Sequence, residues 1–198
     1  RLTTLLSAPS PSIDIVEWSV ATFSDTLYLY IETESPMMAG ETVEGFVLFI
    51  DTDGSEETGY DLAGFGADAM IELQGWNGSL SVSLCSSFGS SDDRLDWNAW
   101  IPRCGVTCSV GGSRLEASTD MSASLTGTSR VLLASMDEYG PGSRSYPVPI
   151  EGGLLVIEQT PSADIVSDGI LGPDTDVIVS TLRFSCLGAG GVVDAVSP

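Results

Sequence analysis

The residues best suited to chemistry lie between positions 51 and 68, where the chain reads Asp51-Thr-Asp-Gly-Ser-Glu-Glu-Thr-Gly-Tyr60 and then Gly66-Ala-Asp68. Asp51, Asp53 and Ser55 occupy alternate positions after an apolar run, and a bend at Gly54 can turn several of their oxygens toward one point. Hard cations are held this way: calcium takes six to eight oxygen ligands at roughly 2.3–2.6 Å and tolerates irregular geometry. The stretch is not an EF-hand. Counted from Asp51, the position that needs a glycine is Glu56, and the position that needs a closing bidentate acid is Leu62. A site here must be closed from elsewhere, with Glu57, Asp61, Asp68 or backbone carbonyls as candidates. The competing reading is a solvated acidic turn. The acid excess of the whole chain favours cation uptake and therefore calcium.

Other chemistries are narrowed by what the chain lacks. Of 198 residues, 28 are acidic and 7 basic, which gives 7 − 28 = −21, and there is no histidine. All the basic residues are arginines. Without imidazole there is no Ser-His-Asp or Cys-His relay and no H-E-x-x-H zinc helix. Without lysine there is no phosphate-loop lysine and no Schiff base. A glycosidase would need two carboxylates facing across a cleft, but with acids this abundant a pair is available anywhere and signals nothing. The chain is expected to be non-catalytic. The negative charge also repels phosphate backbones and anionic lipid, so nucleic acid is not an expected partner.

Aromatic and sulfur residues add three further candidates. Trp76, Trp97 and Trp100, with Asp92, Asp93 and Asp96 nearby, could form a glycan platform of aromatic faces and acceptor oxygens. The plainer account makes Trp97 and Trp100 core residues packed near Cys104. Cys85, Cys104, Cys108 and Cys186 are an even set compatible with two disulfides, in three connectivities. Free buried thiols are a second reading, and a four-thiolate zinc site fits poorly, since one CxxxC and two distant singles make a weak zinc pattern. Disulfides imply an oxidising, extracellular setting. Asn77-Gly78-Ser79 is an N-glycosylation acceptor pattern.

The elements that must carry these residues are strands. Val16, Trp18 and Val20 alternate with polar neighbours, as do Leu27, Leu29 and Ile31, and Leu80, Val82 and Leu84. Phe46–Ile50, Val131–Ala134 and Val177–Leu182 are continuously apolar, as strands buried on both faces would be. Asn77-Gly78 predicts the tip of a hairpin between strands at 69–74 and 80–85. Only Asp120–Leu125 looks briefly helical. The sum is an all-β, two-sheet antiparallel β-sandwich, jelly-roll-like, of about ten or more strands. Residues 13–150 form its core, and residues 151–198 supply strands that complete or adjoin it. Residues 1–12 form an arm carrying Leu2, Leu5 and Leu6 on a Pro/Ser linker that cannot continue a ladder. A chain that starts at Arg1 reads as one from which an export signal has been removed. No apolar run approaches the eighteen or so residues of a membrane span.

Several of these segments together resemble a known group. Asp14-Ile15, Leu27–Ile31, Phe46–Gly54, Thr58-Gly-Tyr60, Gly66-Ala-Asp68 and Arg114-Leu-Glu116 are similar to the jelly-roll modules of secreted family 9 carbohydrate-binding and DOMON-like domains. The resemblance covers roughly residues 13–140. It implies a two-sheet sandwich in which Asp51, Asp53 and Asp68 are structural-calcium ligands. Haem binding of the DOMON type is not expected, because no histidine is available as an axial ligand.

The expected function is structural: an extracellular or cell-surface subunit, stabilised by calcium and disulfides, that polymerises with its own copies when residues 1–8 add a strand to a neighbour. The alternative is a carbohydrate-binding module of a secreted protein.

Overall fold

In the computed structural model of the chain, residues 12–23, 26–89, 93–121, 125–138, 140–145, 147–150, 156–159, 183–185 and 195–196 are described. Leu2, Leu5, Leu6, Asp92, Cys186 and the expected strand Val177–Leu182 lie outside them. Period-two patterning becomes strand almost throughout: β1 (Ile15–Phe23), β2 (Thr26–Thr33), β3 (Glu44–Asp51), β4 (Tyr60–Asp61), β5 (Gly66–Ala67), β6 (Ala69–Trp76), β7 (Ser79–Phe88) and β8 (Trp100–Gly105). There follow β9 (Thr107–Gly111), β10 (Arg114–Thr119), β11 (Arg130–Asp137), β12 (Gly140–Arg144), β13 (Val148–Pro149), β14 (Val156–Gln159), β15 (Arg183–Ser185) and β16 (Ala195–Val196). Among the described residues the one helical turn is a 3-10 turn at Trp97–Ala99. The described part of Asp120–Leu125 is not helical.

Two antiparallel sheets result. The first runs β16-β15-β14-β1-β2-β10-β9, the second runs β12-β11-β3-β6-β7-β8 with β13 also on β11, and β4-β5 form a separate two-stranded piece. The strands after residue 150 thus extend the first sheet, through β14 pairing with β1. Apolar side chains that face inward from both sheets make one core: Trp18, Leu27, Leu29, Ile31 and Leu115 meet Phe46, Leu48, Ile50, Ile71, Leu73 and Leu133.

Two bulges redirect the simple alternation. Register shifts between Ile15 and Glu17, so Ile15, Trp18 and Val20 are buried and Val16 is not. A second shift, at Gln74/Gly75, separates Leu80 from Val82 on β7. Cys85, 3% exposed, then takes the inward place, while Val82 and Leu84 are only half-buried and belong to neither core. The hairpin tip is as expected: Asn77 and Gly78 have φ of 52° and 71°, the left-handed pair that a two-residue turn requires.

β3 is buried at every position. Its inward residues Phe46, Leu48 and Ile50 enter the main core. Its outward residues Val47 and Phe49 join Phe65, Ala67, Met70 and Leu132 in a second, smaller core. The second sheet is therefore covered on both faces, on the outside by the 52–68 segment. That is why Phe46–Ile50 reads as an unbroken apolar run.

At one flank the chain passes from β8 to β9, and so from one sheet to the other, across Val106 alone. The Val106 N–H donates to the Ser83 carbonyl at 3.2 Å. Just before this corner Cys85 and Cys104 stand opposite each other and form a disulfide, with 5.1 Å between their Cα atoms. The bridge closes a 19-residue separation, and a loop near that length is stabilising by about 3 kcal/mol. The double variant Cys85→Ala, Cys104→Ala should lose about that much stability in urea unfolding of the oxidised protein, and reductant should then leave the variant's midpoint unchanged.

Candidate metal centre in the acidic loop

The loop from Asp51 to Asp68 leaves the end of β3 and returns to the start of β6. Local hydrogen bonds shape it. Asp51 Oδ1 accepts from Gly54 N at 2.7 Å, and Asp53 Oδ1 accepts from Ser55 N at 2.8 Å. The Thr58 hydroxyl donates to the Asp53 carboxylate, and the Asp68 N–H donates to the Ile50 carbonyl. Asp68 Oδ2 accepts from both the backbone N–H and the hydroxyl of Thr52, at 2.9 and 2.8 Å, which closes the loop at its base. Two glycines allow the loop to fold on itself. A Cβ at Gly59, whose φ is +67°, would fall on the Ala67 carbonyl, and one at Gly66 on the carbonyls of Ser55 and Thr58.

This folding brings together Asp51, Asp53 and Asp68, each offering one oxygen, with these atoms within 4.8 Å of one another. Asp51 is buried, Asp68 half-buried and Asp53 exposed. Of the other expected ligands, Ser55 is spent on the turn, where its hydroxyl accepts from Glu57 N and its carbonyl from Thr58. Glu57 is exposed and outside the cluster, and Asp61 accepts from Gly64 N at the far end of the loop.

Several of the backbone carbonyls that could complete a cation's shell are already engaged. Thr52 O accepts from the hydroxyls of Thr126 and Ser129, and Asp53 O from Thr128. Arg94 collects the carbonyls of Glu56, Thr58 and Gly59 at 2.7, 2.8 and 2.9 Å. The clustered donors for an ion are the three carboxylates, each already accepting hydrogen bonds within the protein, and water or a further loop carbonyl would supply the remainder.

Arginines are the part of this site that the sequence does not announce. Arg130, at the start of β11, places Nε and Nη2 on Asp51 Oδ2 at 3.0 and 2.5 Å. The same guanidinium lies 5.5 Å from the Phe65 ring centre and 3.8 Å from Glu56. Arg144 donates to the Leu62 carbonyl at 3.1 Å, and burial pulls its pKa down from the ordinary guanidinium value. Arg94, Arg130 and Arg144 thus put three of the chain's seven basic residues on one loop. The only available signal was scarcity: of seven basic residues, three are committed to this loop's carbonyls and carboxylates.

The remaining candidates fall in three places. Trp97 and Trp100 pack with Phe49, Tyr60 and Phe88 in edge-to-face and tilted contacts of 5.2–6.4 Å, beside the second core, with Trp97 42% exposed. Trp76 stands at the other end of the β6–β7 hairpin, opposite Ser79, whereas Phe88 pairs with Trp100. The structure therefore does not gather the three tryptophans on one platform. Asp96 caps the 3-10 turn by accepting from Asn98 N, and Asp93 accepts from Leu95 N. Cys108 has no disulfide partner among the described residues, and burial pushes its thiol up to about 11, so at neutral pH it is a packing residue rather than a nucleophile. Asn77 is exposed at its hairpin tip.

Fold and site define an antiparallel β-sandwich with an arginine-braced acidic loop laid over one sheet. No protein family, curated protein or solved structure matches the chain.

Asp51 is fully buried and Arg130 is mostly so, with 26% of its side chain exposed. Removing one partner of such a pair leaves an uncompensated charge. Arg130→Met should lower the unfolding free energy by about 3 kcal/mol, read by urea titration, and Arg130→Met with Asp51→Asn should recover more than half of that loss.

Proposed function

We propose that this chain is a structural, non-catalytic subunit of an extracellular or cell-surface assembly: a calcium-stabilised sandwich that polymerises when residues 1–8 of one copy add a strand to another. The observation that carries this reading is that, among the described residues, the two sheets are open rather than closed into a barrel, with β9 ending one and β8 ending the other. An open edge presents unpaired N–H and C=O groups, which an incoming strand can satisfy. Further support comes from the Cys85–Cys104 disulfide, at home in an oxidising compartment, and from the absence of any helix among the described residues long and apolar enough to cross a membrane.

Calcium belongs to the proposal through Asp51, Asp53 and Asp68, whose donor atoms are hard oxygens. Three carboxylates that already accept hydrogen bonds within the protein place the affinity in the weak range of extracellular modules, about 10⁻⁴–10⁻³ M. The bound ion would screen mutual repulsion among the acids and hold the exposed Asp53 turn to the Asp68 base.

Deleting residues 1–8 should leave a folded monomer, by light scattering and circular dichroism, that no longer polymerises under conditions where the full chain does. Assembly that persists unchanged after the deletion would sink the reading. Calcium at tenfold its Kd should stabilise by about 1.4 kcal/mol, a rise of a few degrees in Tm that chelator removes and Asp53→Ala abolishes. A melting curve indifferent to chelator would remove calcium from the account.

A further inference from the structure

The open flank beside the β8–β9 corner has a feature that the other edges lack. β8 pairs with β7 only over Leu84–Phe88, and the Val106-to-Ser83 hydrogen bond is the last link before the corner. Beyond it, Ser79–Val82 of β7 pair with β6 alone among the described residues, and β9 pairs with β10 alone. Two strand edges, one from each sheet, therefore border the same opening. Leu80, Cys108 and Val110 lie beneath it, packed on the main core yet only half-buried. Among the described residues no further strand lies on this flank, and one more would bury those three side chains.

The other edges are defended. β8 carries Pro102, a bulge at Cys85/Ser86, and Arg103, whose Nε donates to Ser87. β12 reads Gly140-Pro-Gly-Ser-Arg144 with a broken register, and β16 is two residues long. Proline, bulges, charge and shortness are the devices that discourage strand addition. Thr107–Gly111 has no proline, bulge or charge, and Ser79–Val82, although the Leu80/Val82 bulge falls in it, has neither proline nor charge.

We propose that this flank is the seat of the N-terminal arm of a second copy, an inference that rests on the strand-addition reading given above and locates its acceptor. Three observations favour that occupant. In any extended strand Leu2, Thr4 and Leu6 share one face, which suits a row of half-buried apolar residues. The arm carries Arg1 and no acid before Asp14, so it is the positive end of a chain with net charge −21. The described chain begins on the opposite flank, where Ser12 donates to Glu44, the Ile13 carbonyl accepts from Ser135, and the Ile13 side chain reaches Gly142 of β12. An arm leaving one flank for a seat on the other makes a head-to-tail contact, which repeats without closing and yields a filament.

Amide hydrogen exchange on the full chain, assembled and dilute, tests this. Assembly should slow exchange at least about tenfold at 79–82 and 107–111, and nowhere as much on β8 or β12. Val110→Ser should raise the concentration at half-assembly about tenfold, the equivalent of 1.4 kcal/mol, measured at a temperature where the variant's own melting curve shows the dilute protein folded. Arm-dependent assembly that instead protects β8, β12 or β16 would overturn the seat and leave the strand-addition reading standing. Protection at 79–82 and 107–111 already present in dilute monomer, and lost on deleting residues 1–8, would mean that the arm fills its own flank and would overturn the second copy. Assembly indifferent to the deletion would defeat both.

Discussion

A carboxylate with no exposed surface, Asp51, ends the most buried strand of the molecule, and its charge is met by Arg130. Much of the loop's construction follows from that pairing. Desolvating an acid is costly unless it is paired and hydrogen-bonded, so β11 must lie beside β3 with Arg130 opposite Asp51 in the ladder, and it does. The same guanidinium rests on Phe65, which lies over the outer face of the second sheet. One side chain thereby links β11, the end of β3, the loop and the second core.

The loop's arginine bracing bears on any role for calcium. Arg94 and Arg130 already supply positive charge and donors to carbonyls and a carboxylate that a divalent cation would otherwise claim. Hydrogen bonds and ion pairs within the protein thus account for the loop's shape, and the cation proposed for Asp51, Asp53 and Asp68 would add to that bracing rather than create the fold. On the first sheet's outer face, by contrast, Glu32 accepts from Tyr30 and pairs with Arg114 at 3.3 Å in the open, a solvated contact of little energetic weight.

The corner at Val106 is the second organising feature. It ties the two sheets on one flank through a single residue, with the disulfide beside it, and the described residues leave the rest of that flank uncovered. A sandwich closed there by a longer β8 would have no half-buried Leu80, Cys108 and Val110 to offer. Rigidity at the corner and openness next to it come from the same short connection.

Period-two alternation, turn residues and composition were enough to read an all-β antiparallel sandwich, the Asn77-Gly78 hairpin and the doubly buried β3, because each depends on neighbours within a few residues. The acidic string at 51–68 was legible for the same reason, and Asp51, Asp53 and Asp68 do meet. Bulges at Ile15/Glu17 and Gln74/Gly75 were not legible, since register is settled by the partner strand. Nor was Arg130, 79 positions from Asp51, or the separation of Trp76 from Trp97 and Trp100. Sequence by itself determined which segments are strands and which loop is acidic. Only tertiary structure decided which charges neutralise one another and which edge stays open, because long-range pairing brings distant residues to one place and no local pattern encodes that distance.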